Sequence, residues 1–491
     1  MASDDLQRRV GARSFARLLG DWRPPDGRRL AAALTDRVRL LVLDGRLPLQ
    51  TRVPAERELA AVLDVSRTTV ATAYEALREA GVLHSRRGAG SWTQAPGDGS
   101  PAAFSPFSPL DGTELHDLAY AALPAPPQLR AATAAAARDL DACLGGHGYD
   151  LAGVPALRAA IAGRFTARGL PTTADQIIVT TGGMGAISLA LTALTSPGDR
   201  VLVEHPTYPN ALDAVRTCGA RPVPVPLAGD TVDPDAWDLD LLTAAIRDTA
   251  PRAVYTIPDH HNPSGAHLDG AGRTRLVDLA RRTGTPLIVD ETLSELTLDG
   301  PEVGPVAAHG APDSPLVLTV GSASKIFWGG LRVGWIRTSA SLARRLAALR
   351  ASVDLGGPVL DQLVTARLLA DVDAIGTARR AELAAARDRL LALVGATFPQ
   401  WRPSRPRGGL SLWIDLGAPV SSRLAGLARR HDVLLVAGPR FGLDGAFERH
   451  LRLPYTLRRD QVEPALSRVA AAWEALDLGV SVPDPDPIAV A

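Results

Sequence analysis

Of the 53 basic residues counted as Lys plus Arg, only Lys325 is a lysine. A chain that uses arginine wherever a cation is wanted keeps a lysine where arginine cannot serve. Guanidinium is never neutral in a protein, whereas an amine can shed its proton and attack a carbonyl carbon. Imine formation is therefore the chemistry that singles out Lys325. Its neighbours extend the set, with Ser322 and Ser324 before it and Arg332 after it in VGSASKIFWGGLRVGW. Upstream stand Gly182-Gly183-Met184-Gly185, Tyr208 in EHPTYP, Asn262 in HHNPSG and Asp290 in LIVDE. The glycine cluster follows an apolar run and opens a helical one, where free backbone N–H groups suit a phosphate.

The elements that must position these residues are short apolar runs: QIIVTTG, VLVEHP, AVYTIP, LIVDE, LVLTVG and VGWIR. Ala/Leu-rich helical stretches separate them. Continuous apolar strands alternating with helices predict an α/β fold with a mainly parallel sheet covered on both faces. In such sheets ligands gather at the carboxyl ends of strands, where most of the polar residues named above fall. Beyond about residue 345 the chain reads as mostly helical, then mixed near LSLWIDL and HLRLPYT, which predicts a smaller C-terminal subdomain. At 491 residues the chain exceeds one hydrophobic core. No apolar run is long enough to cross a bilayer, so no membrane partner is expected. MASDDLQRRV lacks the apolar stretch of a signal peptide, and Cys143 and Cys218 form no disulfide or metal pattern, so a cytoplasmic protein without a metal site is expected.

The zero net charge is unevenly spread, because residues 1–92 carry 16 Arg against 11 Asp plus Glu, a balance of +5. A basic N-terminal segment on an otherwise acidic chain points to a polyanion partner for that segment. Its pattern predicts three helices: one from Leu30 to about Gly45, one starting near Pro54, and one capped by Ser66 that buries Val70, Tyr74 and Leu77. VLHSRRGAGSW then reads as two strands around a basic turn. This winged helix-turn-helix resembles the GntR type, whose "PSERELA…VSRTTV…RGxG" pattern appears here as PAERELAAVLDVSRTTVATAYEALREAGVLHSRRGAGSW, with Ala55 in place of the usual Ser. The resemblance implies a double-stranded DNA operator as partner. Arg52 and Arg57 would hold phosphates or reach bases, Ser66, Arg67, Thr68 and Thr69 would enter the major groove, and Arg87 and Gly88 to Gly90 would form the wing.

The chemistry-bearing residues of the larger part match the needs of pyridoxal 5′-phosphate (PLP). Lys325 would form the Schiff base, and Asp290 would pair with the pyridine nitrogen and keep it protonated. Asn262 would bond the phenolic oxygen and Tyr208 would stack on the ring. Ser322, Ser324 and Arg332, with the amides of Gly183 and Met184, would surround the phosphate. Their order resembles that of fold-type I aminotransferases, in which SxSK, RxGW, NPxG and a strand-end Asp recur. By that resemblance Tyr149 would reach the phosphate held by the other subunit of a homodimer, and Arg452 in HLRLPYT would bind a ligand α-carboxylate. The two halves in this order resemble the MocR/GabR regulators. The expected domains are a winged helix over 1–92, a Pro/Gly/Ser-rich linker over 93–116, an aminotransferase-like domain over 117–480 and a tail over 481–491. One departure stands out: Thr292 and Leu293 occupy positions where the family and the aminotransferases carry Tyr. The expected function is a transcription regulator that senses an amino acid or other amine effector, with inefficient turnover. A working aminotransferase with a regulatory appendage and a sensor of PLP itself remain as alternatives.

Overall fold

The computed structural model describes residues 9–20, 22–24, 27–43, 47, 50–86, 90–94, 115–228, 232 and 237–476. The chain divides into two compact units. One takes in the chain up to Asp117, Leu416–Leu451 and the part from Asp460 onward; the other holds Leu118–Asp415 and Arg452–Arg459. Most of the expected linker, the whole tail, and Arg87 and Gly88 lie outside the described residues.

The first unit begins with helices α1 (Ala12–Leu19), α2 (Leu30–Leu43), α3 (Glu56–Leu63) and α4 (Arg67–Glu79), then strands β1 (Leu83–Arg86) and β2 (Gly90–Thr93). The strands pair antiparallel, Leu83 opposite Thr93. Ser66 starts α4 as read from the sequence, its Oγ accepting the Thr69 N–H at 3.0 Å. Val70, Tyr74 and Leu77 are buried with Leu34, Val38 and Leu41 of α2 and Leu59 and Leu63 of α3. The Tyr74 hydroxyl donates to the Pro54 carbonyl at 3.0 Å, which ties α4 to the start of α3. Helix α1 has no counterpart among the sequence expectations. It is two turns long between Gly11 and Gly20, yet its Phe15 and Leu19 are fully buried. In the same unit β3 (His116–Asp117) runs parallel to Val433–Leu434.

The second unit contains α5 (Gln128–Asp139), α6 (Pro155–Ala167) and a seven-stranded sheet. Its strands are β4 (Ile177–Thr180), β5 (Arg200–His205), β6 (Arg221–Pro226), β7 (Ala253–Thr256), β8 (Leu287–Asp290), β9 (Val317–Ser322) and β10 (Gly334–Arg337), in the order β4-β10-β9-β8-β7-β5-β6. Helix α7 (Gly182–Leu194) follows β4. β6 was not among the expected strands, because RPVPVP reads as a strand breaker. It lies at the sheet edge, pairing with β5 alone, where Pro222, Pro224 and Pro226 forfeit no ladder bond on the open side. β10 runs antiparallel to both β4 and β9, with Gly334 opposite Thr180 and Ser322. That reversal puts the residues just before β10, Arg332 among them, at the edge where β4 and β9 end. No helix among the described residues is long and apolar enough to cross a membrane.

The first unit is more than a winged helix. Helix α2 lies against the helix Ser421–Arg430, where Leu40 packs over Gly426. Arg37, 4% exposed, points into this seam and pairs with Glu448, 8% exposed, and with Ser422 Oγ. Glu448 also accepts from the Ser422 N–H at 3.0 Å and from its hydroxyl at 2.7 Å, while Arg37 Nε donates to the Leu19 carbonyl at 2.6 Å. Two charges this deeply buried are tolerable only together. Removing one from such a pair costs roughly 3–5 kcal/mol, whereas apolar replacement of both is often nearly neutral. Glu448→Gln is therefore expected to destabilise the unit by about 3 kcal/mol in denaturant unfolding, and Arg37→Met with Glu448→Met together to recover most of that. Additive losses in the double variant would contradict this account.

Candidate functional site

The carboxyl edge of the sheet brings together the residues singled out from the sequence. β4 ends into Gly182 and α7. Gly182 has φ +72°, and a Cβ there would lie 2.6 Å from Arg332 Nη2. A Cβ on Gly334 would strike the Gly182 carbonyl carbon at 2.3 Å. Two glycines thus let Arg332 and the first turn of α7 close on one another, with Arg332 Nη2 donating to the Thr181 carbonyl at 3.4 Å. Ser322, at the end of β9, faces Gly183, its Cβ 3.5 Å from where a Gly183 Cβ would stand. Its Oγ accepts the Ser324 N–H at 3.1 Å. Met184 lies one residue further into α7. A helix N-terminus, an arginine and a serine hydroxyl thus stand close together, a set of donors suited to a phosphate.

Lys325 follows in the short helix after β9. Its amine donates to the Ala121 carbonyl at 3.0 Å. Burial and the neighbouring Arg452 cation push its pKa down to about 8 against the opposing pull of Asp290. Arg452, 7% exposed, donates to the Ala119 carbonyl, so one short stretch, Ala119 to Ala121, holds both cations. Asp290 closes β8, 5% exposed; its Oδ1 accepts the Thr292 N–H at 3.0 Å and its Oδ2 the Tyr255 hydroxyl at 2.8 Å.

Asn262 stands on the loop after β7, and its buried Oδ1 has no hydrogen-bond partner. The loop is pinned beneath it: His261 Nδ1 lies 2.8 Å from Ser264 Oγ and its Nε2 3.1 Å from Glu204 Oε2. His260 Nε2 lies 3.0 Å from Thr297 Oγ1, and burial lowers the pKa of this ring to about 4. Tyr208, half-buried after β5, accepts from Asn210 Nδ2 at 3.0 Å. Tyr149 stands apart from these contacts, 64% exposed.

In the other unit, Ser66, Arg67 and Thr68 are exposed at the start of α4, and Thr69 is half-buried with its hydroxyl 2.8 Å from Ser66 Oγ. Arg67 reaches Glu56 at 3.4 Å while its side chain stays 59% exposed. Arg57 is exposed on α3. Arg52 sits at the base of the hairpin, its guanidinium 5.8 Å from the Trp92 ring centre and packed against Gly90.

The sequence reading passed over Tyr255, the Ala119 and Ala121 carbonyls, and the Glu204–His261 pair. Tyr255 reads as an ordinary aromatic of a buried strand. Only its register beside Ile288 puts it within reach of Asp290. Backbone carbonyls carry no residue-type signal at all.

Comparison with known proteins identifies both parts of the chain. Residues 120–469 match the family described as aminotransferase class I and II, and residues 30–92 match the gntR family of bacterial regulatory proteins. Arginine–pyruvate transaminase AruH of Pseudomonas aeruginosa is 32% identical over 341 residues, covering 67% of this chain and 84% of the relative. The uncharacterized HTH-type transcriptional regulator YisV of Bacillus subtilis is 24% identical over 477 residues, covering 89% of this chain and 95% of its own. Among solved structures, LysN, the α-aminoadipate aminotransferase of Thermus thermophilus complexed with N-(5′-phosphopyridoxyl)-L-leucine, superposes with a TM-score of 0.67 at 27% identity, over 74% of this chain and 94% of that one. The matching fold is a PLP fold, and the donors suited to a phosphate, the buried Asn262 oxygen and the desolvated lysine fit that cofactor. The chain belongs to the aminotransferase class I and II family, in the MocR/GabR organisation that sets a gntR-type DNA-binding domain ahead of a PLP domain.

Proposed function

We propose that this protein is a transcription regulator that reads an amino acid or a close amine relative through its PLP domain and answers on double-stranded operator DNA. The observation that carries the reading is Lys325, a lone lysine whose amine is held dry at the sheet edge of a chain that also presents Ser66, Arg67 and Thr68 to solvent. Bound PLP supplies an aldehyde carbon that amines can attack and a ring that draws electrons.

The chain's own residues do the rest. Ser322, Ser324, Arg332 and the amides of Gly183 and Met184 would hold the phosphate, and the Asn262 side-chain amide would hydrogen-bond the phenolic oxygen, its N–H donating to a phenolate. Asp290 would pair with the ring nitrogen and Tyr208 would stack on the ring. With a pKa near 8, the Lys325 amine is neutral in roughly one molecule in ten at pH 7, against fewer than about one in a thousand for an ordinary lysine. Arg452 would bind the carboxylate of the effector. Thr292 and Leu293, where the family carries Tyr, leave the phenolic oxygen without a phenol partner from that segment, which favours sensing over turnover. Tyr149, Leu144 and Val353 are large apolar or aromatic side chains left exposed at 64%, 67% and 66%, which is in keeping with a homodimer in which Tyr149 would serve the partner's phosphate.

The first test is chemical. Borohydride reduction of the loaded protein should leave the pyridoxyl group on Lys325 in peptide maps, and Lys325→Ala should lose the covalent absorbance; label confined to the N-terminal amine would refute the cofactor assignment. The rate of PLP loading should rise with pH with its midpoint near 8 and level off about one unit higher, where the amine is almost fully neutral.

On DNA, Arg67→Ala should weaken operator binding more than binding to random duplex, because a lost base contact costs about 1–3 kcal/mol of discrimination. Equal losses on both DNAs would place Arg67 on phosphates alone.

Arg452→Ala should raise the effector concentration that shifts the cofactor absorbance by about ten- to a hundredfold, as expected for a charge-assisted contact worth roughly 1.5–3 kcal/mol. It should still reach full PLP occupancy. Arg452 lowers the Lys325 pKa, so its removal should raise that pKa and move the loading profile to higher pH. A wild-type effector response in this variant would sink the carboxylate role, and amino acid turnover by the wild type at ordinary enzyme rates of about 1–1000 per second would favour the transaminase reading.

A further inference from the structure

Tyr255 is a fully buried phenol that no role assigned so far employs. It lies level with Ile288 of the neighbouring strand, and Ile288 and Asp290 point to the same face of β8. The long side chain reaches forward along the sheet and donates to Asp290 Oδ2 at 2.8 Å. The other oxygen, Oδ1, accepts the Thr292 N–H at 3.0 Å. Burial, and then the Asp290 charge, hold the Tyr255 hydroxyl far above its ordinary pKa, so it remains a donor throughout the working pH range. The other groups acting on this phenol are Tyr208 and Glu204, and Asp290 also acts on Lys325. The Asp290 carboxylate is thus gripped at both oxygens, one donor being backbone and the other a rigid aromatic.

We propose that Tyr255 is a positioning residue that fixes Asp290 as the ionised partner of the cofactor's pyridine nitrogen, so that the proton they share stays on the ring. The inference rests on the reading of Asp290 given above. Each hydrogen bond donated to a carboxylate stabilises the anion over the acid. In a pocket shielded from water, a carboxylate stripped of one such donor competes for the nearest proton, and that proton is the one on the ring nitrogen. The balance is a single proton lying between nitrogen and oxygen, with no other reactant involved. The phenol missing at 292 and 293 and the phenol present at 255 therefore act at different poles of the cofactor. One leaves the phenolic oxygen to Asn262; the other secures the electron-drawing state of the ring.

The test uses the full-length protein loaded with PLP labelled with ¹⁵N in the pyridine ring. The nitrogen shift of the wild type should be that of a protonated ring. In Tyr255→Phe, which keeps the ring and loses the donor, it should move toward that of neutral pyridine, and the PLP dissociation constant should rise by about tenfold. If the Phe variant does not fold, 4-aminophenylalanine at position 255, a weaker donor of the same shape, should give an intermediate shift. A wild-type shift in either folded variant overturns the inference and leaves Tyr255 as a space filler. A neutral ring in the wild type itself overturns the assignment of Asp290, and the inference falls with it.

Discussion

Keeping one amine out of water is the constraint on which the larger unit depends. A lysine at the surface is a cation and a poor nucleophile; Lys325 is made reactive by burial and by a second cation, Arg452, that disfavours its charge. Both effects are destabilising taken alone. They persist because the surrounding sheet is anchored elsewhere, by strands β4, β5, β7, β8 and β9, whose apolar side chains are buried. The carbonyls of Ala119 and Ala121 take the hydrogen-bond donors that Arg452 and Lys325 would otherwise leave facing protein. Reactivity at the edge is offset by packing in the middle.

The same division explains what was legible in the sequence. Residue types with no substitute were readable: a lone lysine, an aspartate closing a strand, glycines where chain crosses chain. The Gly182–Arg332 approach leaves its mark because any side chain at Gly182 would collide with the guanidinium. The order of the strands was not readable, since β10 looks like its neighbours and nothing in GWIR announces that it runs the other way. β6 was hidden because its prolines are acceptable only at an edge, and edge status is a property of the assembled sheet. Tyr255 was hidden for a related reason: its partner is set by register between strands more than thirty residues apart in sequence. In the winged helix nearly everything was local and nearly everything was read. The exception is α1, too short to show a period.

The two ends of the functional argument draw on different physics. Helix α4 offers Ser66, Arg67 and Thr68 to solvent, where charge is cheap and screened by salt. The cofactor edge hides its charges, so each needs a named partner: Lys325 with a carbonyl, Asp290 with a phenol and an amide, Glu204 with the Thr256 hydroxyl and the Ile257 amide. An exposed set is free to meet a polyanion of varied sequence, whereas a hidden set discriminates by whether a small molecule satisfies every group at once.

The seam formed by Arg37 and Glu448 bears on how portable the DNA-binding module is. The stretch that matches the gntR family ends at residue 92, but the cohesive body to which it belongs continues more than three hundred residues later. A fragment cut at the family boundary would carry Leu40 and a desolvated arginine into water with neither their apolar cover nor their counter-ion. The reader of DNA in this chain is therefore not a detachable cassette. Its compact unit is completed by Leu416–Leu451, so the stretch that looks self-contained in one dimension shares its core with a distant segment in three.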